Sequence, residues 1–208
     1  MFPLGAVVFP GQLVPLRVFE PRYLRLVDDL VEGHVPGFGI ALIERGHEVG
    51  GGDTRTQVGT MVSIEQLSGS FADGWSLVAK GTSRIAVTSW LDDDPYPLAM
   101  VVEHSLDTTT PKDVAAALDA PVTSLDDHFV ATWRTVFRNN DTIDNAAEKI
   151  EIPLPQAAGL DEYVGLLCAH APLTSYDLQS LLAADSTAER AVQLRAALET
   201  KRALLGES

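Results

Sequence analysis

Phe2-Pro3-Leu4, Val7-Val8-Phe9-Pro10-Gly11 and Val14-Pro15-Leu16, running on into Val18-Phe19-Glu20-Pro21-Arg22-Tyr23, decide how this chain is read. Short β-branched and aromatic runs cut by Pro and Gly are strand grammar, and they predict strands over Gly5 to Phe9 and Leu13 to Phe19. At Pro21 the grammar changes, because a fixed φ suits the first helical turn. Tyr23, Leu26, Val27 and Leu30 then recur at i, i+3, i+4 and i+7, and Gly33 supplies a left-handed terminator. The stretch is a strand-to-helix joint. Glu20 sits where its charge favours the positive end of the helix dipole, and Arg22 is close enough to pair with it or with a neighbouring strand.

The same strand grammar continues to about Leu106. Strands are predicted over Gly39 to Ile43, Gln57 to Leu67, Trp75 to Lys80, Arg84 to Trp90 and Leu98 to His104. Asp107-Thr108-Thr109-Thr110-Pro111 then offers a Thr-Pro helix start, which sets a domain boundary between residues 1–106 and 107–208. Beyond it helices are predicted over Lys112 to Leu118, Leu125 to Arg138, Asp144 to Ile150, Gln156 to Ala169, Ser175 to Ala183 and Thr187 to Leu205. Thr174-Ser175 and Ser186-Thr187 serve as caps. In the last helix Ala191, Leu194, Leu198 and Leu205 line one face, and Glu189, Arg190, Glu199 and Arg202 are expected to stay wet. The fold class is α+β.

Composition narrows the function. The chain of 208 residues carries 15 Lys and Arg against 29 Asp and Glu, a net charge of -14. The excess is shared, with 7 basic and 13 acidic residues up to 106 and 8 and 16 after it. Such a surface repels phosphate backbones and anionic lipid, which argues against nucleic acid and membrane partners. Pro3, Pro10 and Pro15 interrupt the N-terminus where a signal peptide needs an apolar core, so the cytoplasm is the expected address.

Motifs for chemistry are sparse. No P-loop or G-x-S-x-G elbow occurs, and Gly50-Gly51-Gly52-Asp53 reads as a hairpin loop. The single cysteine, Cys168, lies in an apolar run and reads as core, with His170 splayed away from it. His34, His47, His104, His128 and His170 are scattered singly. Asp92-Asp93-Asp94 is either a solvated turn or a weak cation site, and lacks the ligand spacing of an EF-hand. The reading is therefore a binding protein without catalytic, metal or cofactor residues. Phe71 and Trp75, flanking the turn Ala72-Asp73-Gly74, are either core plugs or contact anchors, and stand as the candidate binding residues.

The opening stretch, together with Phe38-Gly39, Val58-Gly59-Thr60, Asp73-Gly74, Lys80-Gly81-Thr82-Ser83-Arg84-Ile85 and Pro95-Tyr96-Pro97, resembles the Lon N-terminal domain, also called the LON substrate-binding domain. Leu173, Asp177, Gln179, Leu181-Leu182 and Arg190 resemble the helical portion that follows it. The resemblance implies a PUA-like β-barrel followed by an α-helical bundle. It implies binding of unfolded or partly folded polypeptide in protein quality control, with a protease as a possible partner. The ATPase and Ser-Lys peptidase modules of Lon protease have no counterpart in these 208 residues. The alternative is a PUA-like module for nucleic acid or a small molecule. The family motif residues, Phe9, Pro10, Gly11, Phe19, Glu20, Pro21, Arg22, Tyr23, Gly59, Gly81 and Arg84, are expected to be mainly structural.

Overall fold

In the computed structural model, residues 1–45, 54–104, 109–139 and 150–206 are described. They fall into two compact units, Met1–Ser105 and Leu106–Ser208. The expected Gly50-Gly51-Gly52-Asp53 hairpin loop lies outside the described residues, as does the helix expected from Asp144, apart from non-helical Ile150.

The first unit is one six-stranded sheet covered by one helix. Its elements are β1 (Phe2–Leu4), β2 (Leu13–Val18), α1 (Pro21–Val31), β3 (Phe38–Arg45), β4 (Thr54–Ser70), β5 (Gly74–Trp90) and β6 (Ala99–Glu103). The sheet order is β1-β3-β4-β5-β2, with β6 also paired to β5, and β1-β3 is its parallel pair. Two 17-residue strands, β4 and β5, form the spine. One edge of β5 is shared: Trp75 to Lys80 pair with β2, and Ile85 to Trp90 pair with β6. Register shifts at Met61/Val62 and Ile64/Gln66 bend the spine, since an extra residue on one strand increases local twist. The path does not close into a fully paired barrel. On one side the Met1 ammonium donates to the Pro97 carbonyl at 2.7 Å, so the chain before β1 touches the segment entering β6 without strand pairing.

Two expectations for the strands changed. The predicted Gly5 to Phe9 strand is not a strand but an exposed bend at Gly5 and Ala6 followed by buried coil at Val7 to Phe9, and the strand is Phe2–Leu4. Val7, Val8 and Phe9 are buried without a ladder because side chains satisfy the backbone: Thr60 Oγ1 donates to Val8 O at 2.6 Å and Phe9 N–H donates to Gln12 Oε1 at 3.0 Å. The two runs Trp75 to Lys80 and Arg84 to Trp90 are one strand. Gly81, between them, is no turn but a point of close approach, exchanging backbone bonds with Gly11 and Gln12 at 2.9 Å each. A Cβ there would collide with the carbonyl of Phe9.

Helix α1 behaves as its periodicity requires. Tyr23, Leu26 and Val27 are buried against Phe38, Ile40, Leu77 and Ala79 of the sheet. Tyr23 stacks on Phe2 with ring centroids 4.2 Å apart. Gly33 takes φ +76° just beyond the helix. Asp29 near its end accepts from Tyr96 Oη at 2.8 Å and pairs with Arg25 at 3.1 Å.

The second unit is helical: α2 (Pro111–Leu118), α3 (Ser124–Arg138), α4 (Leu160–Ala169), α5 (Ser175–Ala183) and α6 (Thr187–Leu204). Thr110 and Thr174 each form a reciprocal capping box with the aspartate three residues on, and Ser186 accepts from Glu189 N–H. The helix expected from Gln156 begins at Leu160, after Gly159 in extended backbone. Helix α6 packs on α2, α3, α4 and α5, with Ala191, Leu194 and Leu198 fully buried. Arg190, expected in solvent, is buried too. Its Nη1 meets Asp161 Oδ1 at 2.8 Å and its Nε donates to Leu181 O at 2.9 Å, so its charge and donors are matched inside the bundle.

Candidate functional site

Most of the family motif residues build the joint between loop, sheet and helix. Phe9 is fully buried, Gly11 has φ +85°, and a Cβ on Gly59 would strike the carbonyl of Ile40 across the ladder. Pro21 opens α1, with Pro10 at the turn before β2. Arg22 Nε donates to Glu20 Oε2 at 3.3 Å, and its guanidinium lies 4.6 Å from the Tyr23 ring centroid. Arg84 is buried with Nη2 2.7 Å from His104 Nδ1.

Phe19 differs from these. It is 63% exposed. Along β2 the odd-numbered residues Leu13, Pro15 and Arg17 are exposed and Val14, Leu16 and Val18 turn toward the core, so Phe19, the residue just after the strand, continues its outward parity. Register then places it. Val18 is opposite Trp75 on β5, and Trp75 is opposite Gly69 on β4. Phe71 sits in the tip of the β4–β5 hairpin and is 50% exposed. Phe19, Phe71 and Trp75 therefore belong to one end of the sheet.

The hairpin tip is locally braced. Ser70 Oγ donates to Asp73 Oδ2 at 2.8 Å and accepts from Asp73 N–H at 3.2 Å. Gly69 and Gly74 hold φ of +111° and +86°, and a Cβ on Gly74 would stand 2.9 Å from Val18 O, so glycine lets β2 close on the turn. Trp75 is half-buried against the main core, its indole Nε1 enclosed without a hydrogen-bond partner among the described residues. The outward faces of β2, β4 and β5 form a depression of about 520 Å3 lined by Pro15, Arg17, Gln66, Ser68, Ser76 and Val78.

A second concavity lies within the helical unit. Phe129, Trp133 and Phe137, one stripe of α3, face residues 152–155 across a cavity of about 360 Å3. Trp133 Nε1 donates to His170 O at 3.0 Å, and the Trp133 and Phe137 rings are 5.4 Å apart.

The reactive groups are otherwise engaged. Burial pushes the Cys168 thiol up to about 12. Asp93 is held by both Nη atoms of Arg55 at 3.1 Å each. Asp29, Glu32 and His34 bring ligand-type atoms within 4.8 Å of one another, but Asp29 already serves Tyr96 and Arg25, which makes the cluster a brace at the end of α1. No helix among the described residues is long and apolar enough to cross a membrane.

Phe71 and Trp75 were legible as aromatics around a turn. Phe19, one of the motif residues expected to be mainly structural, is exposed, and the alternation along β2 carries the signal of that exposure.

Comparisons with known proteins agree with this architecture. A crystal structure of a Lon N-terminal domain protein from Xanthomonas campestris shares 26% identity, with a TM-score of 0.61 over 94% of this chain and 95% of that one. The N-terminal domain of Mycobacterium avium complex Lon protease gives 0.60 over 95% and 96%, at 16% identity, a likeness of fold alone. The Lon protease of Desulfosudis oleivorans is 28% identical over 95 residues, which are 43% of this chain and 11% of that protease. A family model described as the ATP-dependent protease La (LON) substrate-binding domain matches residues 1–200, and the chain belongs to that family.

Proposed function

We propose that this protein binds unfolded or partly folded polypeptide without catalysing its cleavage. The observation that carries the reading is membership of a substrate-binding family across residues 1–200, a match that includes no catalytic domain. The sheet end supports it: Phe19 and Phe71 offer large apolar area at low entropic cost, and Trp75 of the same sheet end packs against the core. In this reading an extended client segment lies along the outward face of β2, β5 and β4 and anchors its apolar side chains at the two phenylalanines. We read the curled sheet as a PUA-like barrel with one unpaired seam. The role is protein quality control in the cytoplasm, beside a protease that supplies the cleavage. The net charge of -14 disfavours the nucleic-acid alternative, for want of cations to neutralise phosphates.

The test is fluorescence anisotropy with fluorescein-labelled, reduced and carboxymethylated α-lactalbumin. The protein should bind it at micromolar concentration, and the double variant Phe19→Ser/Phe71→Ser should weaken binding at least tenfold with an unchanged melting temperature. Absence of binding by the unaltered protein would sink the reading.

A further inference from the structure

The cavity of the helical unit has a composition unlike the sheet end. Its walls are the aromatic stripe Phe129, Trp133 and Phe137 and the apolar residues of 152–155. The donor that an aromatic wall of this kind offers, the indole N–H of Trp133, is consumed by the carbonyl of His170 at 3.0 Å. Among the described lining residues a ligand meets apolar surface, the exposed imidazole of His170 and one carboxylate, that of the exposed Glu151. At about 360 Å3 the space is near the lower end of the roughly 300–1,000 Å3 of small-ligand sites, the scale of one or two side chains and not of a folded element.

We infer that this cavity is a binding site for an extended polypeptide segment in which a large apolar side chain fills the space against Trp133 and Phe137, and an adjoining Lys or Arg meets Glu151. The inference rests on the polypeptide-binding reading and adds to it a second site and a charge preference. Charge complementarity selects the occupant. An acidic flank would face Glu151 on a protein already at -14, whereas a basic one gains a partner there and loses none. The wall carrying Glu151 also carries Leu154, 39% exposed, so the apolar and charged contacts lie three residues apart on one strand of chain.

The experiment uses the full chain and three fluorescein-labelled Gly-Ser peptides: one with a central Trp-Leu flanked by Lys-Arg, one with the same centre flanked by Glu-Glu, and one with Ser-Ser at the centre and Lys-Arg flanks. The first should bind at least fivefold more tightly than either of the others. Glu151→Lys should abolish or reverse the preference between the first two, and Leu154→Arg should weaken the first at least tenfold; both positions are exposed, and circular dichroism checks that the helices persist. Equal binding of the first peptide by the unaltered protein and both variants overturns the inference and leaves the polypeptide reading standing. Retention of carboxymethylated α-lactalbumin with no binding of any peptide does the same. Failure to retain either overturns both. A dimer that dissociates on Leu154→Arg would assign the cavity to a second copy of this chain and so overturn the inference.

Discussion

Arg190 Nη1 donates to Asp161 Oδ1 at 2.8 Å from a side chain that is 1% exposed. The same carboxylate oxygen accepts from Thr187 Oγ1 at 2.8 Å, and Arg190 Nε reaches the carbonyl of Leu181, so one cation ties α4, α5 and α6 together. Breaking such a pair strands the remaining charge in the interior. Asp161→Ala is expected to destabilise the helical unit by about 3 kcal/mol, near the lower end for a buried pair because Asp161 is partly exposed. Urea unfolding followed at 222 nm measures it; a change below about 1 kcal/mol would mean that the pair is dispensable.

Gly81 is where the Phe9 loop lies on β5. Gly81→Ala should cost about 2–3 kcal/mol, since backbone and not a flexible side chain blocks the new methyl. Thermal unfolding gives the shift, and Gly159→Ala, whose Cβ would meet nothing within 4 Å, serves as the comparison with little change.

The Tyr96 hydroxyl donates to Asp29 at 2.8 Å, and its pKa is raised to about 12 by burial first and then by that hydrogen bond. A raised folded-state value means that the protonated tyrosine stabilises the fold. This contribution is complete below pH 10.0, the ordinary value, and disappears as pH rises through about 12. Tyr96→Phe should lose about 1 kcal/mol at neutral pH and show a shallower fall in stability between those two pH values. Equal slopes for the two proteins would contradict the assignment.

Cys168 is completely buried, and desolvation holds its thiol protonated up to about 12. Iodoacetamide at pH 8 should leave the folded protein unlabelled and add one carbamidomethyl group in denaturant, as read by intact mass. Rapid labelling of the native protein would show that α4 opens readily.

Thr174 accepts from Asp177 N–H while Asp177 accepts from Thr174 N–H, closing the start of α5. Thr174→Ala should cost about 1 kcal/mol in the urea transition of the helical unit, and Thr174→Ser should retain most of that stability.

The sequence by itself determined what is written within a few residues: α1 from Pro21, its apolar spacing and Gly33, the capped starts of α2, α5 and α6, and the strand character of the first half. Periodicity and cap chemistry act between neighbours, so they can be read locally. Only the tertiary structure decided that Gly81 joins two runs into one strand, that Val7 to Phe9 are buried without pairing, and that Arg190 goes inside. Each depends on a group far along the chain: the Phe9 carbonyl, Thr60 Oγ1, the Asp161 carboxylate. The sheet end divides in the same way. Phe71 and Trp75 were visible around their turn, but the β2–β5 register was needed to bring Phe19 to them, because strand pairing is a long-range choice that no local pattern contains.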